Sequence, residues 1–458
     1  MSWYLRRGIH ISLLLLAILR ASFLTLHPSS NIYLITLTMK NAVVSSLLVS
    51  GAAAFPWVAM QPGVDSSILR LKPRQQVGEG PGGPDTCPFN ANHEDARPVT
   101  DEFPYNNAKN GVPGNGKGGY QVPAPGDTAH QFEAPNPNTD IRGPCPGLNA
   151  AANHHFLAHD GIVTFNELVD AQQNVYNVGY DLATLLALLG LTLTDGDIVT
   201  QKLSIGCDAT SRTSFNPLLT GSEPGLDGHN KFEADTSLTR NDYFTGDGDN
   251  FSFNGTLFGM MNDACDGNFN RENLGHYRAD RWRQSKMENP NFYFGPLSLL
   301  LFGAASFLYE LMPSGTRGYA PDLETISSFF NAVQQDDGTW VAGEGEKIPD
   351  NWTNRVEPYS NSDVTREILA MYLVEPVLFG GNTGPDSFDT LNFGNIEDGK
   401  LPVGLDAADT SCLLYQLATQ SVPSYLNGVI TPTVEALSFV AKQIGPELDN
   451  LGCPRPLT

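Results

Sequence analysis

The chain has few basic residues and few cysteines, and each shortage argues against a class of protein. Its 27 lysines and arginines stand against 50 acidic residues, which gives a net charge of −23. Because nucleic acids and anionic membrane surfaces attract proteins through basic patches, we expect neither nucleic-acid binding nor stable membrane association. The six cysteines form no Cys-x-x-Cys pair, which argues against zinc-finger and thioredoxin-like sites. With 41% hydrophobic residues, the chain can still build a sizeable core.

The N-terminal 54 residues have the composition of an export signal. A positive charge, a short apolar stretch and small residues follow Met39, as in a secretory signal peptide. We therefore expect translation to start at Met39, residues 1–54 to be an extension plus signal peptide, and the protein to be secreted and extracellular. A signal anchor built from the apolar residues 9–24 is the alternative. Three N-glycosylation sequons are compatible with secretion and lie at Asn250, Asn254 and Asn351.

The amino-acid composition of the chain changes near residue 142. Glycine, proline and asparagine are frequent before that point and no helical period is visible, so residues 55–85 are predicted to be an extended arm or propeptide. Beyond it, the spacing of apolar residues predicts helices over 163–174, 179–191, 297–312, 323–333, 362–374 and 434–444. The expected fold is mostly α: a single large helical domain over 86–458, preceded by a long Gly/Pro-rich N-terminal arm.

Cys145 stands between two prolines in the run Arg-Gly-Pro-Cys-Pro-Gly-Leu-Asn that starts at Arg142. Pro146 suits the first position of a helix, where its missing N–H costs nothing. The free backbone N–H groups of Gly147 and Leu148 would then point at the sulfur. Such hydrogen bonds and the helix dipole lower the pKa of a thiol by about one to several units. The run therefore predicts a thiolate that serves as a metal ligand or a nucleophile.

The segment from His130 to His154 resembles the start of the fungal haem-thiolate peroxidases, the family that includes chloroperoxidase and the unspecific (aromatic) peroxygenases. Residues 232–240 resemble the family's Glu-x-Asp-x-Ser block, and residues 289–296 resemble the lead-in to its distal helix. The resemblance covers roughly residues 86–455. It implies a haem-thiolate peroxidase domain with haem b, which uses hydrogen peroxide to oxidise a hydrophobic organic substrate, aromatic or polyketide-like.

The resemblance assigns the proximal side of the haem to the cysteine run. Cys145 would be the axial iron ligand, because a cysteinate pushes electron density onto haem iron and favours O–O cleavage. The other residues expected around the cofactor are Pro144, Pro146, Gly147 and Leu148. The resemblance also implies a disulfide between Cys412 and Cys453; two buried free thiols are the alternative. Arg142, Asn149 and Asn153 are expected to be structural polar residues around the proximal loop. His154 and His155 would bond to backbone or to a propionate, or lie at the surface.

The resemblance also implies a magnesium site beside a haem propionate. Glu233 would contribute a carboxylate, Ala234 a backbone carbonyl and Ser237 a hydroxyl, and all-oxygen ligation is what a hard dication prefers. Asp235 would orient the loop without binding the metal. The alternative is an ordinary acidic turn before a helix, capped by Ser237.

The distal acid–base pair of the family is missing from the sequence. Peroxide activation needs a group that moves a proton between the two oxygens. The longer relatives use an arginine and a glutamate, whose places are occupied here by Leu297 and Ala304. The shorter relatives use a glutamate and a histidine, and the histidine position is Ala234. Glu310 is the candidate catalytic residue if the helix is shifted or bent; in a regular helix it faces outward. An apolar distal wall is expected from Leu299, Leu300, Phe302 and Phe307.

Three functions remain open at this point. The first is a secreted haem-dependent peroxidase or peroxygenase. The second is a haem-binding member of the family with little or no turnover, because the distal pair is missing. The third is a haem-free secreted structural protein, which would make the Pro-Cys-Pro run a coincidence.

Overall fold

A computed structural model of the protein describes residues 87–194, 196–216, 222–315, 322–384, 386–392, 396–402, 404 and 409. All of them belong to the second of two compact units of the chain, Arg70–Thr458. Several predictions lie outside the described residues: the signal peptide over 1–54, the arm over 55–85, the helix over 434–444 and the disulfide between Cys412 and Cys453.

Residues 87–145 contain turns and isolated bridges but no helix. The segment is nevertheless firmly packed. Tyr105 is 1% exposed and its hydroxyl donates to Asp127 Oδ2 at 2.5 Å. Asn106 Nδ2 donates to Asn177 Oδ1 at 2.6 Å. Hydrogen bonds inside this glycine- and proline-rich segment, together with bonds to residues later in the chain, therefore hold it in the fold.

The first helices flank the cysteine run and a small sheet. Helix α1 begins directly after Cys145, and α2 begins with a capping box in which Thr164 and Glu167 exchange hydrogen bonds. The helices predicted over 163–174 and 179–191 are confirmed as α2 and α3. The elements in this half are α1 Pro146–Asn153, β1 Ile162–Thr164, α2 Phe165–Tyr176, α3 Tyr180–Leu193, β2 Lys202–Ser204, α4 Thr210–Thr213 and a 3₁₀ turn at Gly225–Asp227. Strands β1 and β2 pair antiparallel.

Two long helices, α5 (Gly255–Cys265) and α6 (Arg271–Glu288), were not predicted. Helix α6 is highly polar in sequence, so it shows no apolar period. One face of it is buried all the same, through Leu274, Tyr277 and Trp282 together with two arginines. A periodicity argument misses such a helix because it counts arginine as a surface residue.

The apolar segment predicted as a helix over 297–312 starts as a 3₁₀ turn, Pro296–Leu299, and continues as α7, Leu300–Glu310. The helix predicted over 323–333 is shorter than expected: α8 spans Leu323–Phe329. Asn331 adopts a left-handed φ of 58°, which ends the helical path, and Val333 then pairs with Val341 in a hairpin. The remaining elements are β3 Tyr293–Phe294, β4 Ala332–Gln334, β5 Trp340–Ala342, α9 Asn361–Tyr372, β6 Gly380–Gly384 and β7 Ser387–Thr390.

Helices form most of the regular structure in the described residues, alongside three small antiparallel sheets, β1–β2, β3–β6–β7 and β4–β5. The core lies between helices that pack in pairs, chiefly α7 on α9, α2 on α3 and α5 on α6. The expectation of a mostly helical domain therefore needs the correction that short strands connect several helices. Within the described part of the chain, no helix is long and apolar enough to span a bilayer.

A disulfide joins Cys87 to Cys207, 120 positions apart in sequence. It lies against a small buried cluster that includes Ile141 and Ile162. The sequence left the pairing of these two cysteines open. Of the other described cysteines, Cys265 is a buried free thiol and Cys145 a partly buried one.

Candidate active site

A large, mostly apolar cavity opens beside α1, with a volume of about 1740 Å³ including its mouth. Its walls come from α1, α2, α3, α7 and α9 and from the loop 232–239. The structure brings together on this one cavity every residue predicted for the cofactor and the metal: Pro144, Cys145, Pro146, Gly147, Leu148, Glu233, Ala234 and Ser237.

Cys145 is the N-cap residue of α1, in extended conformation (φ −88°, ψ 106°), and Pro146 takes the first helical position. The backbone N–H groups of Gly147 and Leu148 donate to its sulfur, as the sequence predicted. The predicted fall in the thiol pKa is wrong, however. Burial raises the pKa of Cys145 more than these two hydrogen bonds and the nearby Arg240 lower it, because a thiolate loses its hydration in an apolar site.

The backbone before Cys145 is fixed by Asn149. Its Oδ1 accepts from Gly143 N at 3.0 Å, and its Nδ2 donates to Gly143 O at 2.9 Å. Position 143 must be glycine, because a Cβ there would lie 1.8 Å from the carbonyl oxygen of Ile205. After the cysteine, the Tyr176 hydroxyl donates to Gly147 O at 2.7 Å. The backbone is therefore fixed by hydrogen bonds both before and after Cys145.

A buried acidic residue that sequence reasoning missed, Glu346, ties this region together. Its Oε1 accepts from Asn149 Nδ2 at 3.0 Å and from Arg240 Nη2 at 3.3 Å, and its carbonyl accepts from Asn153 Nδ2 at 2.8 Å. Arg142 Nε donates to Asn153 Oδ1 at 2.8 Å. Arg142, Asn149 and Asn153 thus support the proximal loop, as expected. No motif surrounds Glu346 in sequence, so only the fold reveals its part.

The two histidines after α1 do not line the cavity. His154 is buried; its Nδ1 pairs with His130 O at 2.9 Å and its Nε2 with Ile348 N at 3.2 Å. His155 Nε2 lies 3.0 Å from Glu133 Oε2. Bonding to backbone, one of the alternatives left open, is therefore observed for His154, whereas the side-chain partner of His155 is a carboxylate that was not expected.

Glu233 is buried, and its two carboxylate oxygens have different surroundings. Oε2 lies 3.2 Å from His229 Nδ1 and 2.5 Å from Asn250 Nδ2. Oε1 has no hydrogen-bond partner among the described residues. Burial raises the pKa of this carboxyl, against the effect of His229. Asp235 lies deeper, and its Oδ2 accepts from Asn289 Nδ2 and from Tyr293 N, each at 3.2 Å, which orients the loop as expected.

The donors on this loop fit a hard divalent cation. The orphaned Glu233 Oε1 is a buried acceptor in need of a partner, and Ala234 and Ser237 line the same cavity wall. Among the described residues, no group of three or more His, Cys, Asp or Glu side chains could hold a metal ion. The expected set contains one carboxylate, one carbonyl and one hydroxyl, so it does not require such a cluster.

Two arginines of α6 hold this loop from behind, and neither was predicted. Arg278 donates to the carbonyl of Thr236 and, at 2.7 Å, to its hydroxyl. Arg281 Nε donates to Ser237 O at 2.9 Å. Thr236 has a left-handed φ of 72°, which is unusual for a β-branched residue, and these contacts fix it there.

Helix α7 forms an apolar wall of the cavity through Leu300, Leu301, Ala304, Phe307 and Leu308. Two residues expected in this wall, Leu299 and Phe302, are buried but do not line it. Phe302 instead packs edge-on against Phe294 and Tyr372. The sequence predicted that this helix starts at Leu297, whereas α7 starts at Leu300. The different start changes which of its side chains face the cavity.

Glu310, the candidate catalytic residue, does not line the cavity. Its carboxylate is paired with the Arg355 guanidinium, which also donates to the Glu310 carbonyl at 3.1 Å. Leu297 does not line the cavity either, whereas Ala304 does. Among the described residues that line the cavity, Glu233 is therefore the only carboxylate.

Comparison with known proteins agrees with this arrangement. The family model described as "Peroxidase, family 2" matches residues 130–357. An aromatic peroxidase of Fusarium equiseti is 30% identical over 346 residues, which are 71% of this chain and 78% of that protein. The chain belongs to the fungal haem-thiolate peroxidase family. It is thus a haem protein and an oxidoreductase that acts on peroxide, as the sequence predicted.

Other relatives of this haem-thiolate peroxidase carry related names. An aromatic peroxygenase of Coprinellus radians is 35% identical over 230 residues, which are 48% of this chain and 85% of that protein. A dothistromin biosynthesis peroxidase of Dothistroma septosporum is 28% identical over 340 residues, 71% of this chain and 81% of that protein.

Proposed function

We propose that this protein holds haem b in the cavity with Cys145 as its axial ligand, and oxidises hydrophobic aromatic or polyketide-like substrates with hydrogen peroxide. One observation carries the proposal: the Cys145 thiol lines a large apolar cavity that the Glu233–Ser237 loop also lines. A haem iron bound by cysteinate favours cleavage of the O–O bond of peroxide. The names of the relatives, aromatic peroxidase and aromatic peroxygenase, support the substrate class.

The residues of the chain perform three tasks in this proposal. Gly147 and Leu148 orient the sulfur through their N–H groups and spread its negative charge. A positive iron would offset the desolvation that raises the thiol pKa, so Cys145 would be a thiolate only with its metal. The leucine-rich walls of α3 and α7 exclude water and receive the apolar substrate.

The first experiment is the absorption spectrum of the reduced protein under carbon monoxide. We expect the band characteristic of a thiolate ligand in the wild type and in Cys265→Ala, and its absence in Cys145→Ala. Cys265 is the matched control because it is a free thiol outside the cavity lining. A thiolate band that survives in Cys145→Ala would refute the ligand assignment, and protein that takes up no haem would refute the function.

We also propose that magnesium binds through Glu233, the Ala234 carbonyl and the Ser237 hydroxyl, beside a propionate. The support is the orphaned Glu233 Oε1 in a wall rich in oxygen donors. Metal analysis of the purified holoprotein is expected to find about one equivalent of magnesium in the wild type and in Glu223→Gln. Glu223 is a matched control, since it is buried but not part of the cavity lining. Retention of the metal in Glu233→Gln would contradict the site.

A second function is supported by the missing distal base: a haem-binding family member with little or no turnover. Glu233 belongs to the proposed metal site and Glu310 is paired with Arg355, so the described part of the chain offers no further cavity carboxylate to move a proton. Loss of a general base commonly lowers a rate by a factor of about 10² to 10⁴. Peroxide-dependent formation of an oxidised aromatic product supports the first function, whereas a thiolate haem spectrum without turnover supports the second.

We further propose that the protein is secreted, with a peroxidase domain over residues 86–458. If it passes through a glycosylating compartment, two of the three sequons should behave differently. Asn351 is exposed, whereas Asn250 is 1% exposed and bonded to Glu233. A glycan removable by glycosidase is therefore expected at Asn351 and lost in Asn351→Gln, and none is expected at Asn250 in folded protein. Peptide mass spectrometry tests both statements.

A further inference from the structure

Arg278 is a buried cation on the wall of the cavity. Its side chain reaches from α6 to the loop that ends at Ser237, and the residue is 1% exposed. Two of its nitrogens donate to Thr236, while Nε has no partner among the described residues. The guanidinium carbon also lies 5.2 Å from the centre of the Phe302 ring. The group is therefore fixed in position with part of its donor capacity unused.

No carboxylate pairs with Arg278 within the described part of the chain, although Asp242 attracts its charge from a greater distance. Two other arginines of similar burial each have a carboxylate at 3.3 Å: Arg240 has Glu346, and Arg281 has Asp242. No ion pair to Arg278 occurs among the described residues, although it lies only one turn from Arg281 on the same helix. An unpaired buried charge is unfavourable, and an anion bound next to Arg278 would offset that cost.

Arg278 is also the only cation among the described residues that line the cavity. Its guanidinium bonds to the loop that also carries Glu233, Ser237 and Thr239, whereas α3 and α7 supply most of the leucines of the lining. The cavity thus combines one cationic group with walls that are mostly apolar. A ligand with an apolar body and a carboxylate matches this division, because guanidinium groups bind carboxylates through two parallel hydrogen bonds.

We propose that Arg278 is the carboxylate-binding residue of the cavity. The carboxylate can come from two sources, a haem propionate or an aromatic acid that enters as substrate, and the recognition chemistry is the same for both. The first source rests on the proposed haem function; the second does not require it.

The test uses the full-length holoprotein and two measurements. The first is the rate of haem transfer to excess apomyoglobin. The second is spectral titration with benzoate and with benzamide, a neutral molecule of nearly the same shape. If the ligand is a substrate carboxylate, we expect the wild type to bind benzoate at least tenfold more tightly than benzamide. If it is a propionate, we expect haem transfer to be at least tenfold slower from the wild type than from Arg278→Gln. Arg278→Lys, which keeps the charge, is expected to retain part of either effect.

Arg283→Gln is the control, since Arg283 is an exposed cation on the same helix. Faster haem loss in Arg278→Gln with unchanged benzoate binding identifies the propionate as the ligand. Loss of the benzoate preference with haem retained identifies the substrate carboxylate. If Arg278 only supports the structure through Thr236, Arg278→Gln lowers the melting temperature but leaves the haem-transfer rate and the benzoate-to-benzamide affinity ratio unchanged. That result overturns the proposal.

Two measurements on the wild type keep the proposal testable if Arg278→Gln does not fold. One is the benzoate to benzamide ratio, and the other is the affinity for haem whose two propionates are methyl esters. If neither shows a preference for the free carboxylate, the proposal is overturned. If the wild type takes up no haem, the proposed function fails on its own. Calorimetric titration of the haem-free wild type and of haem-free Arg278→Lys with benzoate and benzamide then decides whether Arg278 binds a carboxylate.

Discussion

Single residues near the cysteine helix are held by hydrogen bonds that fix their protonation state. His154 is 2% exposed; with a proton on Nδ1, it donates to His130 O and accepts from Ile348 N through Nε2. A proton on Nε2 would break the second bond and bury a charge. Burial accordingly lowers the pKa of His154 to about 4. The neutral ring connects the segment before Cys145 to the segment that carries Glu346.

His154 should make the protein less stable in acid. Its pKa is about 4 in the folded state and 6.5 in the reference state, so the unfolded chain binds more protons between these values. The free energy of unfolding is unaffected by this group above pH 6.5. It falls by about 3 kcal/mol as the pH decreases from 6.5 to 4. We expect His154→Gln, which can donate and accept as the neutral ring does, to lose correspondingly less stability over this range.

The measurement is denaturant unfolding of both proteins at pH 7 and pH 4.5. His276→Gln serves as the control, since His276 is a half-exposed side chain on α6. Equal losses in the wild type and in His154→Gln would show that this ring is not responsible for the acid sensitivity.

At the scale of elements, α6 and α7 decide what faces the cavity. Helix α7 is apolar along most of its length, and its cavity face offers leucine, alanine and phenylalanine. The only acidic residue of α7, Glu310, is at its end and paired with Arg355. Helix α6 looks like a surface helix in sequence, yet it delivers Arg278 to the cavity. The sequence predicted α7 and missed α6 because apolar period is a local signal, whereas arginine burial depends on the loop that the arginine meets.

A carboxylate placed on α7 should supply the missing proton carrier. Ala304 lines the cavity with its side chain exposed there, so Ala304→Glu adds an acid–base group without displacing a core residue. We expect peroxide-driven oxidation of an aromatic substrate to rise by a factor of the order of 10². Ala304→Gln, of the same size but unable to carry the proton, should show no gain. Equal rates in the two variants would mean that a proton carrier at this position does not limit turnover.

At the scale of the whole molecule, long-range bonds connect segments that are distant in sequence. The Cys87–Cys207 disulfide joins the start of the described chain to the segment after β2. Glu346 reaches Asn149 across 197 positions, and Asn177 Nδ2 donates to Arg355 O at 3.0 Å. The segment 87–145 therefore belongs to the same folded unit as the helices, although its composition resembles a linker.

Removing the disulfide should lower the free energy of unfolding by about 5 kcal/mol in the chain-entropy model, because a loop of 120 positions is released. We expect Cys87→Ala/Cys207→Ala to unfold at clearly lower guanidinium concentration than Cys265→Ala, which removes a buried free thiol without opening a loop. Coincident unfolding curves for these two proteins would show that the disulfide contributes little beyond local packing.

The sequence by itself determined two local features: the helix start after Cys145 and the oxygen-rich loop around Glu233. These follow from neighbouring residues, since proline and backbone N–H groups act within one turn of chain. The tertiary structure decided the rest. In the folded chain, burial raises the pKa of the Cys145 thiol and Glu310 pairs with Arg355. Glu346 and Arg278 come to lie at the site. The physical reason is that desolvation and charge pairing depend on residues far apart in sequence, which only the folded chain brings into contact.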